Sequence, residues 1–263
     1  MTPPRNHATT RRQALRAPAD AAQQSAHARA RRGAIIGDDS KRERPIATKT
    51  SATATTAQSG NIGTVLFDME GVLSHYDRDA RAAHLAALTG TTPDAVRAAI
   101  WDSGLEARAD AGELAPDAYL RALGELLGCA MDRATWLASR RASITPNDAT
   151  LALAARAGER CRIAVLTNNG SLVTDHLDAL NPPVARLFGG RVYGSAQFGA
   201  VKPAARTYLG CVEHLGATPH ETLFIDDSEA NVQGALDAGL HACLFVDTGT
   251  LEHDLRRFGV LHD

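Results

Sequence analysis

The sequence predicts a doubly wound α/β protein that carries a smaller all-helical insertion. Three observations point there: five short apolar runs read as strands, helical patterns separate the later runs, and a long strand-free stretch follows the first. The runs are residues 64–68, 162–167, 191–193, 222–226 and 243–246. Their apolar and β-branched residues are continuous rather than alternating, as in parallel strands covered by helices on both faces.

Between the later runs, residues 147–157, 171–180, 203–215 and 228–238 have helical spacing. Ala205, Tyr208, Val212 and Leu215 recur at three- and four-residue steps, as do Val232, Ala235 and Leu236. Strand and helix alternating with short links gives a parallel, Rossmann-like sheet. The stretch 78–145 is different. Pro93 opens one helix, with Val96, Ala99 and Ile100 on a shared face, and Pro116 opens another, with Tyr119, Leu120, Leu123, Leu126 and Leu127 inward. Proline suits a first helical turn because its missing N–H would have no partner there. Ordinary connections run about 2–6 residues, so 78–145 is read as a helical domain over the end of the sheet. The α/β core is then 61–77 and 146–263.

Residues 1–60 are a different polymer. They hold 11 Lys and Arg against 4 Asp and Glu, a net of +7, while the remaining residues carry −9. With almost no large apolar side chains, this segment is read as a disordered basic tail. Arg11-Arg12 and Arg31-Arg32 lack the following apolar stretch of an export signal. No aromatic residues are interleaved for nucleic-acid stacking, so no specific nucleic acid is expected as a partner. No run approaches the roughly 20 apolar residues of a membrane helix. The four cysteines are scattered and form no CxxC pair, which favours reduced thiols and a cytoplasmic protein.

In open parallel sheets, ligands bind beyond the carboxyl ends of the strands. Those ends carry Asp68, Thr167-Asn168 and Asp226-Asp227, with Lys202 in the loop after the third run. One acid after a strand often just caps a helix. Several converging on one edge would repel unless a cation lay among them, and oxygen-only donors favour Mg²⁺. A lysine there would offset the charge of a transferring phosphoryl group.

With these residues in place, the sequence resembles the haloacid dehalogenase-like hydrolase superfamily over about 62–250. Phe67-Asp68-Met69-Glu70-Gly71-Val72-Leu73 is similar to its first motif, Val165-Leu166-Thr167-Asn168 to its second and Val201-Lys202-Pro203 to its third. The segment from Phe224 to Ala235, with Asp226-Asp227, resembles the fourth. The insertion matches the helical cap of many members, and Gly112–Tyr119 is similar to cap helices of sugar-phosphate phosphatases. The resemblance implies a Mg²⁺-dependent phosphatase of a small phosphorylated metabolite, with Asp68 as nucleophile and an aspartyl-phosphate intermediate. It implies Mg²⁺ on Asp68, the Glu70 carbonyl and Asp227, with Asp226 on Lys202 or a metal-bound water. Thr167 and the Asn168 backbone would hold phosphoryl oxygens.

Glu70 departs from the family pattern, which usually has an aspartate acid–base there. The longer side chain moves the carboxyl by more than an ångström, and about 1 Å of misplacement can cost a hundredfold in rate. Reduced but real phosphatase activity is the expectation. The alternatives are metal-independent 2-haloacid dehalogenation, which the paired acids oppose, and a phosphate-binding module in which Glu70 prevents turnover. Arg108 is a candidate contact for a polar leaving group, with a solvent-facing helix arginine as the competing reading, while Trp101 and Trp136 read as packing residues of the helical domain, Trp101 being also a candidate substrate contact. Substrate identity and oligomeric state are not legible.

Overall fold

The structure, a computed structural model, describes residues 62–262; the basic segment 1–60 lies outside the described residues. The chain enters at β1 (Thr64–Phe67), then forms a short β2 (Ser74–Tyr76). Five helices follow: α1 (Arg78–Thr89), α2 (Pro93–Arg97), α3 (Leu105–Asp110), α4 (Pro116–Leu127) and α5 (Arg133–Ala142), with a π-helical turn at Ala98–Asp102. β3 (Ile144–Pro146) then pairs antiparallel with β2, so one two-stranded ribbon carries the chain into and out of the helical block. That ribbon has no counterpart among the expected strands, because three residues are too few to show a period.

The core continues through α6 (Asp148–Gly158), β4 (Arg162–Thr167), α7 (Ser171–Thr174), α8 (Leu177–Leu180), α9 (Pro182–Phe188) and β5 (Val192–Gly194). It ends with α10 (Ala205–His214), β6 (Thr222–Asp226), α11 (Glu229–Asp237), β7 (His241–Leu244) and α12 (Thr248–Arg257). The helix expected over 171–180 is broken into α7 and α8, and α9 starts afresh at Pro182, where the ring cannot continue a helix but suits a new first turn. The last strand begins two residues earlier than the apolar run suggested, and Val246 is left 66% exposed.

The large sheet has the order β5-β4-β1-β6-β7, with every pairing parallel. Alternate residues of each strand feed opposite faces. Val65, Phe67, Val165 and Ile225 pack with α6, α9 and α12 through Leu151, Phe188 and Leu255. Leu66, Leu166 and Phe224 pack with α10 and α11 through Tyr208, Val212 and Ala235. Burial on both faces is why the strands read as unbroken apolar runs. β1 sits centrally: the chain leaves it for β4 and β5 on one side, then returns to β6 and β7 on the other. That reversal splays the connections apart and opens a crevice at the carboxyl ends of β1, β4 and β6.

The helical block is secured by its own caps. Asp77 accepts the N–H groups of Asp79 and Ala80, Thr92 caps α2 ahead of Pro93, and Asp132 caps α5 through the N–H of Thr135. Along α4, Tyr119, Leu120, Leu123 and Leu127 are buried as expected, whereas Leu126 is 54% exposed.

Candidate active site

Asp68 follows β1 directly, and its N–H donates to Ile225 O at 2.8 Å. Since Phe67 pairs with Ile225, the sheet register sets Asp68 beside Asp226 at the end of β6. The loop that follows turns back at Gly71, whose φ is +99°. A Cβ there would lie 2.1 Å from Asp227 Oδ2, so only glycine lets the two chain segments come this close. Asp68, Asp226 and Asp227 each offer a carboxylate oxygen, and these three atoms all lie within 4.8 Å of one another. This oxygen-only donor set fits a hard divalent cation such as Mg²⁺.

Lys202 lies among the acids and is only 3% exposed. Its Nζ is 2.8 Å from Asp68 Oδ1, 2.7 Å from Asp226 Oδ2 and 3.0 Å from Leu166 O, which accounts for all three ammonium protons. Burial alone would lower its pKa, but Asp68 and Asp226 raise it and keep the ammonium charged. Asp226 Oδ1 accepts Ser228 N–H and Asn231 Nδ2, so the fully buried carboxylate is held on both oxygens. Burial, reinforced by Asp226 and Glu70 against Lys202, pushes the Asp68 carboxyl up to about 7. Asp227, an exposed residue, is also raised, by partial burial and by Asp226. Crowded carboxylates of this kind call for positive charge.

Thr167, at the end of β4, is buried, and its Oγ1 donates to Glu70 Oε2 at 3.1 Å. The Asn168 side chain turns away to the lysine loop: its Nδ2 donates to Lys202 O and its Oδ1 accepts Lys202 N–H. Asn168 therefore braces Lys202 through its side chain. Glu70 accepts Arg140 Nη2 on Oε1 at 2.6 Å and Asn169 Nδ2 on Oε2 at 2.7 Å.

A cavity of about 300 Å³ lies between this edge and the helical block. Asp68, Glu70, Thr167 and Lys202 line it from the core, while Trp101, Glu106, Asp110 and Arg140 line it from the block. Trp136 is buried as a packing residue should be, but Trp101 faces the cavity. Arg108, the candidate leaving-group contact, does not line the cavity and takes the solvent-facing position. On α3, Glu106 and Asp110 are one turn apart and face inward, which turns Arg108 outward. Its side chain is 56% exposed and pairs with Glu113 at 3.3 Å.

Sequence reasoning missed Arg140, Asn169 and the cluster around Glu106. The Glu106 carboxylate accepts both Arg81 and Tyr119, and its Oε1 also accepts Arg140 Nη1 at 3.1 Å. Burial would raise its pKa, yet Arg81 and Arg140 outweigh that and hold it at about 2. Asp110, which accepts Gly170 N–H at 2.9 Å, is pushed up to about 8 by burial and by Glu106. Nothing in the spacing marks these residues, because packing alone brings them together. Asn169 adjoins a recognised motif and was the one within reach.

Similar proteins agree with this architecture. Phosphatase MT3486 of Mycobacterium tuberculosis is 29% identical over 213 residues, covering 77% of this chain and 98% of its own. A HAD family enzyme of Bacteroides thetaiotaomicron, crystallised with magnesium and inorganic phosphate, matches at a TM-score of 0.61 and 20% identity, covering 73% of this chain and 99% of its own. The L-2-haloacid dehalogenase of Xanthobacter autotrophicus matches less closely, at a TM-score of 0.51 and 23% identity, over 74% of this chain and 82% of its own. The family model of the haloacid dehalogenase-like hydrolases matches residues 62–239, and with the strand-end acids and the sheet order in place the chain belongs to that hydrolase family.

Proposed function

We propose that this hydrolase is a Mg²⁺-dependent phosphatase of a small phosphorylated metabolite, with Asp68 as nucleophile. The observation that carries the reading is the trio Asp68, Asp226 and Asp227 within 4.8 Å, with the Lys202 ammonium joining the first two. The similarity to a protein named a phosphatase, and to an enzyme crystallised with magnesium and phosphate, supports it. Asp68, the Glu70 carbonyl and Asp227 would hold the ion, and Asp226 would keep Lys202 in place. Bound there, Mg²⁺ would neutralise the carboxylates and the incoming phosphate.

The residues then divide the work. Asp68 forms a bond to phosphorus as the ester P–O bond breaks, giving an aspartyl phosphate. Glu70 protonates the departing oxygen and later takes a proton from the water that attacks phosphorus, which frees phosphate and restores Asp68. Thr167 Oγ1 rotates its proton from Glu70 to a phosphoryl oxygen, joined by the Asn168 backbone. The helical domain 78–145 acts as the cap, shielding this chemistry from water.

A screen of phosphorylated sugars, nucleotides and organic acids on the full chain tests the reading. Phosphate release that needs Mg²⁺, stops with a chelator and falls at least about 1,000-fold in Asp68→Asn is expected. Chelator-resistant halide release from a 2-haloacid, or Mg²⁺ and phosphate binding without turnover of any ester, would refute it.

A further inference from the structure

Glu70 is one methylene longer than aspartate, so something must fix where its carboxylate ends. The structure has such a device. Arg140 Nη2 donates to Glu70 Oε1 at 2.6 Å and to Asn169 Oδ1 at 2.7 Å, while Asn169 Nδ2 donates to Glu70 Oε2 at 2.7 Å. Arg140 and Asn169 thus close a ring with the carboxylate. The arginine is itself fixed from the other side. Its Nη1 reaches Tyr76 Oη at 3.0 Å and Glu106 Oε1 at 3.1 Å, and its Cζ lies 4.3 Å from the centre of the Tyr76 ring. Arg81 and Tyr119 hold Glu106 in turn, and Arg140 is only 3% exposed. A guanidinium is a planar fork that fits this double task, whereas a lysine offers one point charge.

We propose that Arg140 is a positioning residue that makes a glutamate at position 70 competent: with Asn169 it aims the carboxyl at the leaving-group oxygen. The inference rests on the phosphatase reading. It explains how the site has adjusted to the longer side chain, and it makes the helical block a partner in the acid step through α5.

Leaving-group dependence is the readout, because an acid matters little when the leaving group is already a weak base. For the wild type, Arg140→Gln and Asn169→Ala, kcat/KM is measured with p-nitrophenyl phosphate and with an alkyl ester such as glycerol phosphate. Each variant should lose roughly 100-fold on the alkyl ester, the size of a general-acid contribution, and far less on the nitrophenyl ester. Glu70→Gln should show the same split, and Glu70→Gln with Arg140→Gln should be no worse than Glu70→Gln alone. Asn169→Ala keeps the Arg140–Glu106 pair and serves if Arg140→Gln does not fold. Equal losses on both esters in the folded variants, or additive losses in the double variant, would overturn the positioning role and leave the phosphatase reading intact. A wild type inert on both esters and across the metabolite screen would sink both.

Discussion

Lys202 and Gly71 show how single positions set the site's electrostatics. Replacing Lys202 with methionine removes the cation shared by two buried carboxylates. Loss of one partner of a buried pair typically costs about 3–5 kcal/mol, and urea unfolding of Lys202→Met in chelator should show a loss of that order. Gly71→Ala brings a Cβ to 2.1 Å from Asp227 Oδ2 on a backbone with φ +99°. It should weaken Mg²⁺ binding at least about tenfold by calorimetry, since strain at such a position is worth about 1–3 kcal/mol. Glu70→Asp should be no faster than the wild type on an alkyl phosphate, because the shorter side chain gives up the 2.6 Å contact with Arg140. A clear gain would mean that the glutamate is a defect. Asp68, Thr167, Lys202, Asp226 and Asp227 stood out because each ends a strand, follows one or sits in the next loop, and Glu70 stood out only through the resemblance of its motif. Arg140 did not: it is one of three arginines on a polar helix, and only packing singles it out.

At the scale of elements, α1, α3 and α5 meet through charge. Arg81 from α1 and Arg140 from α5 share Glu106 on α3. The Glu106 carboxyl is held at about 2, below its ordinary 4.5. The contribution of a depressed carboxyl is present above its ordinary pKa and lost as pH falls through the folded value. Stability should therefore drop between about pH 4.5 and pH 2, and Glu106→Gln should flatten that part of the urea-midpoint curve. An unchanged slope would place the acid sensitivity elsewhere. The edge strand β7 is only partly buried and its bounds were read two residues late, whereas β1, β4 and β6 were readable because both of their faces are buried. The β2–β3 ribbon and α9 were not, one being too short to show a period and the other hidden behind paired prolines.

For the whole molecule, the crevice at the carboxyl ends of β1, β4 and β6 is closed over by the helical block, leaving the cavity of about 300 Å³. A ligand that binds only the folded state stabilises it by about 2.7 kcal/mol at 100 times its Kd. Saturating Mg²⁺ should therefore raise the melting midpoint of the wild type and have little effect on Asp227→Asn. An equal rise in both would remove Asp227 from the ion's ligands. Among the described residues, no helix is long and apolar enough to cross a membrane. The order of motifs along the chain was sufficient to determine the α/β class and to bring the acids and the lysine of the candidate site to one sheet edge, because strand burial and strand-end placement leave a local imprint. The outward turn of Arg108, the bracing of Lys202 by Asn168 and the ring of Arg140, Asn169 and Glu70 were decided only in three dimensions. Those contacts join residues up to 99 positions apart, and a buried ion pair depends on where side chains end rather than on how the chain is spaced.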